Sequence, residues 1–101
     1  MNTSTNTVDD PTAVLDEKAL HLLHWRSRRG LLENDLFIEK FFEKHGPSLT
    51  YNQGEAMTTL MNLADNDLLD LVLRRKELEE AITTPTLQEV LEMLRNSRSQ
   101  T

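Results

Sequence analysis

Apolar residues recur at helical intervals in five separate stretches of the chain, and nowhere do they alternate over a run as a strand would require. The first stretch predicts a helix from about Asp16 to Arg29. At about 100° per residue, Leu20, Leu23 and Ser27 share one side of it, and His21, Trp25, Arg28 and Arg29 fall roughly opposite. Gly30 is expected to stop this helix and to let another backbone approach. A second helix, from about Leu32 to Lys44, carries an apolar stripe of Leu31, Phe37, Ile38, Phe41 and Phe42. Glu33 lies off that stripe, beside Lys40 and an out-of-place Leu36. Gly46-Pro47-Ser48 then forms a loop.

Thr50 and Gln53 have the spacing of a capping box at the start of a third helix, with Met57, Leu60, Met61 and Ala64 at helical intervals as core. Asp65 or Asn66 is the expected cap of a fourth helix. Its Leu68, Leu69, Val72 and Leu73 read as the centre of the bundle, and Arg74-Arg75-Lys76 closes it against the negative end of the helix dipole. Thr84-Pro85-Thr86 opens a fifth helix with a stripe of Leu87, Val90, Leu91 and Leu94, and Glu89 offers a second box. The expected fold is all-α: one small bundle of four to five short helices over residues 15–96. Residues 1–14 are expected to be a disordered tail that adds nothing to stability, and residues 97–101 a flexible end.

With 101 residues, of which 38% are hydrophobic, the chain has material for one modest core. Cysteine is absent, which excludes disulfides, thiolate metal sites and a thiol nucleophile. The first residues lack the basic start and apolar run of a secretory signal and the arginines of a transit peptide, so a bacterial cytoplasm is the expected location. No apolar run approaches the roughly 18 residues of a membrane span, and no membrane insertion is expected.

His21 and His24 have a spacing that can chelate a metal, but no third ligand stands near them in the sequence, and no metal is expected. Glycines stand only at 30, 46 and 54, so no phosphate loop exists, and intrinsic enzyme activity is not expected. A nucleic-acid-binding helical domain is a rival function. The formal charge of -6, and the interleaving of basic residues with Glu33, Asp35, Glu77 and Glu79, argue against it. A generic helical interaction module, such as an antitoxin-like regulator, is a second alternative.

The densest recognition chemistry lies in His24-Trp25-Arg26-Ser27-Arg28-Arg29-Gly30-Leu31-Leu32-Glu33-Asn34-Asp35. Arginine forks and an indole face are both enriched among residues that dominate binding energy at interfaces. The run from Trp25 to Glu33 resembles the signature of the FAD assembly factors of succinate dehydrogenase, the SdhE or YgfY family: a tryptophan, a small residue, Arg-Arg-Gly, two variable positions and a glutamate. It continues here with Asp35, Phe41-Phe42 and a Gly/Pro break, and Asp65-Asn66-Asp67-Leu68 resembles the family's Asp-x-Asp-Leu element. The likeness covers roughly residues 20–95. The chain departs from the pattern at Leu71, where the family usually has tryptophan, and at Asn34, where it usually has an apolar residue.

The resemblance implies a chaperone-like step. Family members bind the flavoprotein subunit of succinate dehydrogenase, or of fumarate reductase, which attaches FAD covalently through a histidine of its own. Carried onto this chain, Arg29, Gly30 and Glu33 would make the contact, with Trp25, Arg28 and Asp35 in support. No catalytic residue is implied, FAD would be attached to the partner rather than held stably here, and a monomer is expected.

Overall fold

The computed structural model describes residues 12–28 and 32–98. Among these residues lie five α-helices: α1 (Glu17–Arg26), α2 (Leu32–His45), α3 (Tyr51–Met61), α4 (Asp65–Val72) and α5 (Pro85–Arg98). A 3-10 turn, Gly46–Ser48, joins α2 to the strand-like residues before α3. The described residues form no β-strand, only an isolated antiparallel bridge between Val14 and Thr50. The all-α expectation holds. No described helix is long and apolar enough to cross a membrane.

Local chemistry explains most of the helix ends. Asp16 caps α1 by accepting the Ala19 N–H at 2.7 Å. Thr50 and Gln53 form the predicted capping box, each side chain serving the other's backbone. Thr84 accepts the Leu87 N–H at 3.0 Å, with Pro85 in the first helical position. The third residue of α5 is thus Leu87, so Glu89 completes no box there. Ala64, exposed, occupies the cap position of α4 without a side-chain bond, so neither Asp65 nor Asn66 is the cap. Asp65 and Asp67 instead sit inside the first turn, where the free N–H groups favour negative charge. Ala64 consequently lies between α3 and α4, not on the α3 stripe.

The end of α4 has an unexpected form. Arg74 takes a positive φ of 64°. Its N–H bonds the Leu71 carbonyl at 3.1 Å, and the Arg75 N–H bonds the Asp70 carbonyl at 2.8 Å. This is the glycine-type helix stop, built here on an arginine.

The core is continuous, with Phe41, Leu49, Met57, Leu60, Val90 and Leu91 showing no exposed surface. Burying each such side chain contributes on the order of 1.5–3 kcal/mol. Its centre is α5, which packs most extensively on α2 and α3, and not α4 as the sequence pattern suggests. The amphipathic stripe of α5 meets two helices, whereas the short α4 lies at one side with Leu69 and Leu73 only partly covered.

Arg95 continues the α5 stripe and is buried. Its Nε donates to the Leu71 carbonyl at 2.7 Å and its Nη2 to the Lys76 carbonyl at 3.2 Å. Nη1 pairs with Glu92 at 2.9 Å and Nη2 with Glu77 at 3.2 Å. A buried guanidinium is tolerated only when its donors are engaged in this way. Ser97 is likewise buried within α5, its hydroxyl bonding the Met93 carbonyl at 2.6 Å. The C-terminal segment expected to be flexible from 97 is therefore helical through Arg98; residues 99–101 lie outside the described part.

At the other end, residues 1–11 lie outside the described part, and Ala13 and Val14 are engaged. The Ala13 carbonyl accepts the Tyr51 N–H at 2.9 Å, and the Leu15 N–H donates to the Leu49 carbonyl at 2.7 Å. Residues 13–15 thus strap the start of α3, and the first two of them lie within the span 1–14 read as tail.

Candidate partner-binding face

The candidate site is the junction of α1 and α2. Helix α1 ends at Arg26, four residues before Gly30, so Gly30 is not its stop. Ser27 ends it instead: its N–H is shared between the Leu23 and His24 carbonyls, both at 3.1 Å, and its hydroxyl bonds the Leu23 carbonyl at 2.8 Å. Ser27 is fully buried, as its place beside Leu20 and Leu23 predicts, and this turns its neighbours outward. Trp25 is 66% exposed, and Arg26 and Arg28 are exposed without an ion pair among the described residues. So the indole stands with the arginines and away from the leucines.

Across the junction, Glu33 is exposed in the first turn of α2, Asn34 is buried and Asp35 is half-buried. The 100° step of the helix accounts for this: with Asn34 pointing inward, Glu33 is carried out to solvent. Both acids lie at the positive end of the α2 dipole. Arg29, Gly30 and Leu31 lie outside the described residues, so Trp25 and Arg28 stand at the described end of the α1 side, Glu33 and Asp35 at the start of α2, and the two central motif residues are undescribed.

Among the described residues, one contact anchors the α2 side of this junction to the rest of the fold and another fastens α1 to α2. The Asn34 Nδ2 donates to the Asp65 carbonyl at 3.1 Å, which ties the start of α2 to the start of α4. The two sequence motifs, some thirty residues apart, are thereby bonded together. Asn34 Oδ1, however, is buried with no partner among the described residues. The second contact is His24, stacked on Phe42 with ring centroids 4.4 Å apart and 15° between planes. Its Nε2 lies 3.0 Å from Glu39, so the histidine weighed as a metal ligand fastens α1 to α2. Among the described residues no cluster of three or more histidines or acids is placed to hold a metal.

Behind the junction, α1 rests on α3 over Gly54, where an added Cβ would come within 3.3 Å of Leu15 Cδ1. An open groove of about 460 Å³ runs between these helices, with Leu15, Leu22, Leu23, Arg26, Thr58 and Met61 on its walls. Sequence reasoning missed Asn34, Arg95 and the His24 stack as fastenings. Only Arg95 left a trace, one turn beyond Leu91 on the buried stripe.

Compared with known proteins, residues 21–98 match a family described as flavinator of succinate dehydrogenase. The match spans both sides of the junction and all the later helices. This chain belongs to that family. Among curated relatives, the FAD assembly factor SdhE of Ralstonia nicotianae is 49% identical over 73 residues, 72% of this chain and 77% of the relative. The FAD assembly factor SdhE of Legionella pneumophila (strain Paris) is 32% identical over 82 residues, 81% of this chain and 98% of that protein. That of Pseudomonas aeruginosa is 33% identical over 66 residues, 65% of this chain and 79% of its own length. No solved structure matches. The family resemblance carried by the Trp25–Glu33 run is thus borne out; the run's first residues, with the exposed indole, lie at the end of α1 and its last at the start of α2.

Proposed function

We propose that this chain is an assembly factor that binds the flavoprotein subunit of succinate dehydrogenase and promotes covalent attachment of FAD to it. The observation that carries this is membership of the flavinator family across residues 21–98. Arg29, Gly30 and Glu33 make the contact, with Trp25, Arg28 and Asp35 beside them. The exposure of Trp25, Arg28 and Glu33 supports that assignment. An exposed tryptophan loses water from a large apolar face on docking, and Arg28, without an ion pair among the described residues, need break none of those to engage a partner. Glu33, held at a helix start, is a ready acceptor for donors on the partner's backbone.

The factor supplies geometry and the flavoprotein supplies the chemistry, so the chain acts without being an enzyme and FAD ends on the partner. The flavoprotein of fumarate reductase, as a second partner, would use the same face. The factor acts as a monomer in the bacterial cytoplasm.

Glu33→Ala tests the assignment. The change should leave stability within about 0.5 kcal/mol, as an exposed position does. Loss of a charge-assisted hydrogen bond at the interface should weaken flavoprotein binding about ten- to a hundredfold. Protein-bound flavin fluorescence of the denatured flavoprotein should fall with it. Undiminished flavinylation by folded Glu33→Ala protein would remove Glu33 from the contact.

A further inference from the structure

Helix α1 is the least buried of the five described helices. None of its residues from Glu17 to Arg26 is fully buried, although Leu20, Leu22, Leu23 and Trp25 are all apolar. Leu22 remains 42% exposed on the wall of the 460 Å³ groove between α1 and α3. A groove of this size, walled largely by apolar side chains with a few polar groups, has the character of a binding site. Leu22 lies one turn before Trp25 and Arg26, so the groove is continuous along α1 with the proposed contact face. Charge adds direction. Arg26 stands on the groove wall without an ion pair among the described residues, and Glu55, on the α3 side, also has no ion pair there.

We propose that this groove receives an aliphatic side chain of the flavoprotein subunit, carried on a surface segment whose acidic residue faces Arg26. It rests on the flavoprotein partnership proposed above and adds a second contact to it. The occupant's apolar anchor lies against Leu22, Leu23 and Met61, its carboxylate pairs with Arg26, and a donor faces Glu55. Docking on two adjacent surfaces of α1 would also add a second point of attachment that helps to fix the orientation of the junction.

Two variants on opposite walls test this with purified flavoprotein subunit. Thr58→Trp fills the groove from the exposed face of α3, and Leu22→Ser strips its α1 wall. Each is expected to weaken flavoprotein binding about ten- to a hundredfold, the equivalent of one aliphatic side chain left unburied. Melting temperatures are measured alongside. A third measurement needs no variant: hydrogen exchange at the amides of residues 22–26 and 58–62 of the wild-type chain should slow on complex formation. Wild-type protein that fails to bind the flavoprotein at all overturns the partnership itself. Wild-type binding with unprotected groove amides, or unchanged affinity in a folded groove variant, overturns the groove contact alone. Groove protection produced by free FAD, or by self-association of the chain without flavoprotein, assigns another occupant and also overturns it.

Discussion

At the scale of single residues, Asn34 presents the sharpest conflict between stability and placement. Its Nδ2 is bonded, but its Oδ1 is buried without a partner among the described residues. A buried acceptor left unmade costs about 1–3 kcal/mol, more than the net value of a single neutral hydrogen bond. The family pattern places an apolar residue here. Asn34→Leu should therefore raise stability by about 1 kcal/mol, seen as a higher urea midpoint at unchanged slope. A lower midpoint would show that the Asp65 contact outweighs the orphaned oxygen.

His45 holds its proton less readily in the folded chain than in the unfolded one. Burial, and then the neighbouring Lys44 charge, lower its pKa below the ordinary 6.5. Above 6.5 both folded and unfolded chains leave the ring neutral, and it has no effect on stability. Below that pH the unfolded chain takes up the proton first, so stability falls until the folded pKa is passed. Urea midpoints at pH 7.5 and 5.5 should therefore separate more for the wild type than for His45→Gln. Equal separations would mean that the ring titrates alike in both states.

At the scale of elements, α4 and the segment after it depend on a neighbour. Arg95 reaches from α5 to the Leu71 and Lys76 carbonyls, holding a helix end whose stop already places Arg74 at positive φ. That conformation costs a residue with a Cβ about 1–2 kcal/mol. Arg95→Ala leaves the Leu71 carbonyl without its side-chain donor and opens space beside the core. Unfolding free energy should drop by about 2–4 kcal/mol in urea titration. A drop below 1 kcal/mol would reduce the clamp to a surface ion pair. The strap before α1 behaves similarly on a smaller scale. Cutting the chain after Val14 removes the Ala13 carbonyl that receives Tyr51 N–H, whereas cutting after Pro11 spares it. The longer deletion should melt about 4–8 °C below the shorter one, the effect of roughly 1 kcal/mol in a domain of this size. Equal melting points would restore the boundary at 14.

At the scale of the whole molecule, the division of labour follows burial. Helices α2, α3 and α5 share the core, so they tolerate little change of volume. Helix α1, without a fully buried residue, is held to them by the His24–Phe42 stack, by the His24–Glu39 pair and by Leu15 and Leu23 over Gly54. A recognition element mounted on the least-buried helix can present Trp25, Arg26 and Arg28 without exposing core.

The sequence by itself determined the five helical stretches, the capping box at Thr50, the place of Trp25 opposite Leu20 and Leu23 and of Glu33 off its apolar stripe, and the family. These are legible because periodicity, capping and motif spacing are local, each decided within a few residues of chain. Only the tertiary structure decided that α5 and not α4 is central, that Val14 straps α3, and that Asn34 and Arg95 are fastenings. Asn34 bonds a residue 31 positions away, and Arg95 one 24 positions away. Both bond to backbone carbonyls, which are chemically alike at every position and so leave no mark of their use in the order of side chains.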